Sequence, residues 1–126
     1  MDRTRQSQLF HDKMIKQLAA SLVTKKFRDV KADHPDIPDK PAPVILDNST
    51  SFHIPDVTAT GIQMVLFEVE THETIHDPHT REEWESFAAY ANRNNAEFWI
   101  VVPKASIDDA QERLSKLGLN AKVMGF

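Results

Sequence analysis

A chain of 126 residues, 40% hydrophobic and 27% charged, has the length of one domain and the composition of a folded one, which excludes a disordered or membrane-spanning chain. The absence of cysteine excludes disulfides, thiolate metal sites and cysteine nucleophiles and fits a reducing cytoplasm, while the three scattered glycines, Gly61, Gly118 and Gly125, exclude a glycine-rich phosphate loop. The net charge of −4 argues against a strongly basic nucleic-acid binder, but residues 1–31 carry eight Lys/Arg against three Asp/Glu, and the remainder seven against sixteen.

No apolar run approaches the roughly 20 residues of a membrane helix, and MDRTRQSQLF has no apolar core of a signal peptide, so a cytoplasmic protein without membrane contact is expected. In chain order, residues 8–27 read as a helix, with Phe10, Met14, Leu18 and Leu22 recurring every four residues and Ile15 and Val23 beside them. Lys13, Lys16 and Lys25 lie off that stripe; they form either a phosphate-facing surface or an ordinary solvated one. A short strand is expected around 28–32. Pro35, Pro38, Pro41 and Pro43 make the next stretch an irregular loop. Val44–Leu46 reads as a short strand and Asp47–Ser49 as a turn.

Residues 54–60 read as a strand, Gly61 as a hairpin turn, and 64–70 as a second strand whose apolar run suggests burial on both faces. Asp77 and Pro78 open a helix over 78–93 that buries Trp84, Phe87, Ala88 and Ala91. A strand over 97–102 stops at Pro103. Ser106 and Asp109 cap a third helix, with Ile107, Ala110, Leu114 and Leu117 on its buried stripe and Gly118 at its end. Residues 121–124 read as a last strand. The expected fold is α/β, with a mixed central sheet flanked by helices.

Two acids interrupt an apolar strand. Alternation puts Glu68 and Glu70 on one face, with Cα atoms roughly 6.6 Å apart. Carboxylates on a central strand are costly unless paired or metal-bound. The hairpin at Gly61 brings Asp56 near them if the strands pair antiparallel. Three converging carboxylates suit a hard cation such as Mg²⁺, which can activate water and stabilise a phosphoryl transition state. The competing reading leaves both glutamates on the solvent face of an edge strand.

Pro55-Asp56, eleven residues, then Glu68-Val69-Glu70 resembles the PD-(D/E)XK signature of the restriction-endonuclease-like superfamily, which includes Holliday-junction resolvases. The element order is similar to that superfamily's αβββαβ core, over about residues 8–103 of a single nuclease-like domain spanning 1–126. The helix and strand of 106–124 follow that core. In this resemblance the three-stranded part is 44–46, 55–60 and 64–70.

The resemblance implies a Mg²⁺-dependent phosphodiesterase acting on DNA, with Mn²⁺ as an alternative ion. It makes Asp56 and Glu68 metal ligands and gives the Val69 carbonyl to the metal. Glu70 stands where the superfamily usually has lysine, so it is an extra ligand or general base, or it marks a site without activity. Arg81 and Gln63 are the substitutes for the missing basic residue. On the first helix Asp12, beside His11, is the nearest acid. Lys13, Lys16 and Arg81 are the expected nucleic-acid contacts. One such site cuts one strand, so double-strand cutting needs a homodimer or a partner protein. The alternative is an inactive module that keeps the fold to bind nucleic acid or protein.

His72, His76 and His79 follow the acidic strand and, with Glu70 or Asp77, could hold zinc or manganese; an exposed polar loop is the plainer reading. His53 precedes Pro55-Asp56 and is near the same region. Trp84 and Trp99 read as core rather than base-stacking platforms, and Tyr90 as either of the two.

Overall fold

The computed structural model describes residues 4–45 and 52–126. Its elements run α1 (Arg5–Thr24), β1 (Arg28–Ala32), β2 (Val44–Ile45), β3 (Phe52–His53), β4 (Val57–Thr60), β5 (Met64–Val69), α2 (Pro78–Arg93), β6 (Glu97–Val102), α3 (Ile107–Leu117) and β7 (Lys122–Gly125). Five strands form a mixed sheet in the order β1-β4-β5-β6-β7, with β2 and β3 paired apart from it. β1, β4 and β5 are antiparallel, and β5, β6 and β7 are parallel.

Helices cover both faces. Ile15, Leu18, Ala19 and Leu22 of α1 pack on Val57, Val65, Phe67, Val69 and Val101. Trp84, Phe87 and Ala91 of α2 and Ala110 and Leu114 of α3 pack on Leu66, Ile100 and Val102 of the opposite face. β5 therefore buries both faces, as its apolar run requires. α2 matches its expected span, opened by the Asp77 side chain accepting from the His79 amide and by Pro78. Gly118 ends α3 at φ +66°.

The differences lie at the polar end of the molecule. α1 starts at Thr4, whose hydroxyl accepts from the Ser7 amide, and its buried face runs through Ser7, His11, Ile15, Leu18 and Leu22. Phe10 and Val23, expected on the buried stripe, are 40% and 61% exposed. The face is rotated because its N-terminal part contacts polar groups: Ser7 donates to Thr71 at 2.9 Å and His11 meets Asp56. The third antiparallel strand of the main sheet is β1, not residues 44–46. Val44–Ile45 pair with Phe52–His53 instead, and Leu46 and the expected turn at Asp47–Ser49 lie outside the described residues. Trp84 is fully buried; Trp99 is half-buried, donates to Glu97 at 2.8 Å and lies under the Lys122 ammonium.

Candidate functional site

β4 and β5 pair Val57 with Phe67, so one residue earlier on β4 lies opposite one residue later on β5. That places Asp56, which immediately precedes β4, against Glu68. The same end of the sheet holds the C-termini of parallel strands β5 and β6, the end at which open α/β sheets bind ligands.

Backbone amides lock the two acids together. The Asp56 amide donates to Oε1 of Glu68 at 3.1 Å, and the Val69 amide donates to Oδ2 of Asp56 at 2.8 Å. Both side chains are buried. His11, reaching down from α1, puts Nε2 at 3.1 Å from the same Oδ2. Its other ring nitrogen lies 3.3 Å from Asp12, so an Asp12–His11–Asp56 chain runs from the surface to the acids. His11 and Asp12 are thus positioned by the first helix at the candidate site, and the signal for His11 was a polar residue one helical turn before Ile15.

A third carboxyl arrives from the opposite face. Glu83 of α2 lies close enough to Glu68 for its charge to act on it, and sequence spacing gave no sign of it. Burial, then the charges of Asp56, Glu83 and Glu70, push the Glu68 carboxyl well above the ordinary glutamate range. Burial raises Glu83 as well, against the opposing pull of the neighbouring Glu68 and His79. Glu68 therefore holds a proton where an exposed glutamate has lost it. A cation placed among these oxygens would exchange with that proton.

Glu70 is on the same side of the sheet as Glu68, as alternation requires, but its carboxyl is built into the core. One oxygen accepts from Thr74 at 2.7 Å and the other from the Trp84 indole at 3.0 Å. The expected basic substitutes are elsewhere. Gln63 donates to the Asn95 carbonyl at the opposite end of β5 from Glu68, about 16 Å away by strand rise. Arg81 is exposed and lies beside Glu85. Lys13 is exposed on α1, and Lys16 pairs with Asp36 at 2.9 Å.

The three histidines after β5 are dispersed. His72 is exposed, and His76 contacts Asp109 at 2.8 Å. His79 instead turns toward His53 and Glu83: its Nε2 is 3.7 Å from the Glu83 carboxylate, and its ring lies 5.7 Å from that of His53. Asp33, Phe52, Ile54 and Glu82 join these three residues around an open cleft of about 580 Å³.

No protein-family model matches the chain, and no curated protein or solved structure matches it.

Proposed function

We propose that the protein is a Mg²⁺-dependent phosphodiesterase acting on DNA, built on a restriction-endonuclease-like core. The observation that carries this reading is the buried Asp56–Glu68 pair, held across an antiparallel hairpin by the amides of Asp56 and Val69. Support for the core comes from the order α1, antiparallel β1-β4-β5, α2 and parallel β6.

The donor set fits a hard divalent cation. Asp56 and Glu68 offer carboxylate oxygens, and a cation there would take the place of the proton that burial and the neighbouring acids keep on Glu68. When bound, Mg²⁺ or Mn²⁺ lowers the pKa of a water and stabilises charge on the phosphoryl oxygens. Asp56 and Glu68 would hold the ion, and the resemblance adds the Val69 carbonyl as a third donor. His11, in contact with Oδ2 of Asp56, would fix the orientation of that carboxylate and is a positioning residue. The α1 surface bearing Lys13 and Lys16 contacts the phosphate backbone, which positions the strand without reading its sequence.

A specific observation favours a second reading, an inactive module with the same fold. Glu70 occupies the position of the superfamily's lysine, and its carboxyl is committed to Trp84 and Thr74.

Labelled single-stranded, duplex and four-way-branched DNA, incubated with Mg²⁺ or Mn²⁺, separates the two. Cleavage by the wild type that falls by about two orders of magnitude in Asp56→Asn and Glu68→Gln supports the enzyme. Calorimetric Mg²⁺ binding that needs Asp56, with no cleavage of any of these DNAs, selects the inactive module.

A further inference from the structure

We infer that His53, His79 and Glu83 form a binding site for a borderline divalent transition metal, Zn²⁺ foremost, at the mouth of the cleft between β3 and the N-terminal turns of α2. The site is separate from the Asp56–Glu68 pair and stands whether or not that pair holds Mg²⁺.

One ligand atom from each of the three residues lies within 4.8 Å of the others. Tetrahedral zinc with bonds near 2.0–2.1 Å spaces its ligand atoms about 3.4 Å apart, so side-chain rotations alone close the difference. Those rotations are available. Glu83 is one helical turn after His79 on the same face of α2, and the His79 side chain is 63% exposed.

His53 is the fixed member. It is buried, its ring stands edge-on to Phe87 at 6.4 Å, and its strand pairing with Val44 sets its backbone. Its Nε2 faces acidic groups, with Glu82 at 3.7 Å. Such a nearby carboxylate favours a cation at the site and can support the bound imidazole.

The donor chemistry selects the ion. Two imidazoles and one carboxylate suit Zn²⁺ and neighbouring transition metals, whereas Mg²⁺ prefers oxygen alone. Three protein ligands leave a fourth position open, the arrangement of zinc sites that exchange a water or bind an anion. The three residues line the same open cleft as Asp33, Phe52 and Ile54, which would give a water or an anion access to the metal. Glu83 also lies near enough to Glu68 for its charge to disfavour the ionised Glu68, so the site adjoins the buried acids without sharing a ligand with them.

The test is a Zn²⁺ titration of the full chain against a chromophoric chelator, followed by X-ray absorption of the zinc-loaded protein. One equivalent should bind, with scattering from two imidazoles, and excess Mg²⁺ should not displace it. His79→Asn, at an exposed position that leaves folding intact, should weaken binding by at least the roughly tenfold that loss of a supporting partner alone costs. Glu83→Gln should do the same, and Asp56→Asn should leave zinc affinity within about twofold. Absence of zinc binding, or affinity unchanged in His79→Asn, overturns the proposal. So does binding that survives His79→Asn and fails in Asp56→Asn, because it moves the ion to the His11 side.

Discussion

Trp84 donates its indole N–H to Glu70 at 3.0 Å, the indole fully buried and the glutamate 2% exposed. This bond ties α2 to the end of β5, and Thr74 donates to the other carboxyl oxygen from the intervening loop. Glu70 thus satisfies two buried donors, a role that lysine, which only donates, cannot fill. Glu70→Lys should destabilise the fold by about 3–5 kcal/mol, the cost of an uncompensated buried charge. Trp84→Phe, which keeps an aromatic ring but loses the donor, should cost about 1–3 kcal/mol. Urea denaturation of both variants measures this. A Glu70→Lys protein as stable as the wild type would mean that the pocket opens to solvent and that the hydrogen bonds matter little.

Stability should fall as pH rises above the ordinary glutamate value of 4.5, because Glu68 is raised well above it and Glu83 is raised too. Below that value both states are protonated and the two acids are neutral in the balance. Above it the unfolded chain releases these protons while the folded chain keeps them, so the folded state binds more protons and stability declines with pH. The decline continues until the folded carboxyls ionise. Asp36, lowered by its hydrogen bond to Lys16, and Glu97, lowered by the Trp99 indole, act with the opposite sign and only in the acid range, where their contribution is lost as pH falls. Thermal melts between pH 5 and 8 should show a falling midpoint that flattens in Glu68→Gln. Added Mg²⁺ should flatten it in the wild type. An unchanged slope in Glu68→Gln would place the titration elsewhere.

The apolar half of the molecule was legible in the sequence and the polar half only in part. α2 and β6 were readable because one stripe or one run is apolar and the ends carry Asp77, Pro78 and Pro103. The pairing of Asp56 with Glu68 followed from hairpin spacing around Gly61. α1 departs from its hydropathy pattern at Phe10: an aromatic there points to the core, whereas the face that is buried carries Ser7 and His11 against polar partners. β1 was weakly marked because its register shifts between Arg28 and Lys31, with Asp29 at φ +50°, which breaks the alternation of a regular strand. Glu83 and His53 come together through α2 packing and the β2–β3 pairing, contacts between distant segments that no local period records.

Gly118→Ala should cost about 1–2 kcal/mol, the penalty of a left-handed backbone for a residue with a Cβ. Gly118 sits at φ +66° after α3, and a Cβ there meets no heavy atom within 4 Å, so backbone strain alone sets the cost. Its amide and that of Leu119 return to the last carbonyls of the helix, at Ser115 and Leu114. Equilibrium unfolding reads the difference. A neutral substitution would show that the α3 end relaxes to another conformation at no cost.

His11→Ala tests whether the acids act as a cation site or as a structural pair. His11 meets Asp56 at 3.1 Å on the oxygen that also accepts from the Val69 amide. With the imidazole gone, Asp56 keeps one amide but loses the contact that fixes its orientation from the α1 side. Supporting partners of this kind typically account for about ten- to a hundredfold in metal affinity. Mg²⁺ and Mn²⁺ affinity, measured by calorimetry, should fall by about that factor in His11→Ala, while Asp12→Asn, one step further from the acids, should have a smaller effect. His11→Gln, which can still donate toward Asp56, should recover part of the loss. A structural pair behaves differently: stability would fall in His11→Ala, and cation affinity would not move in any of the three variants.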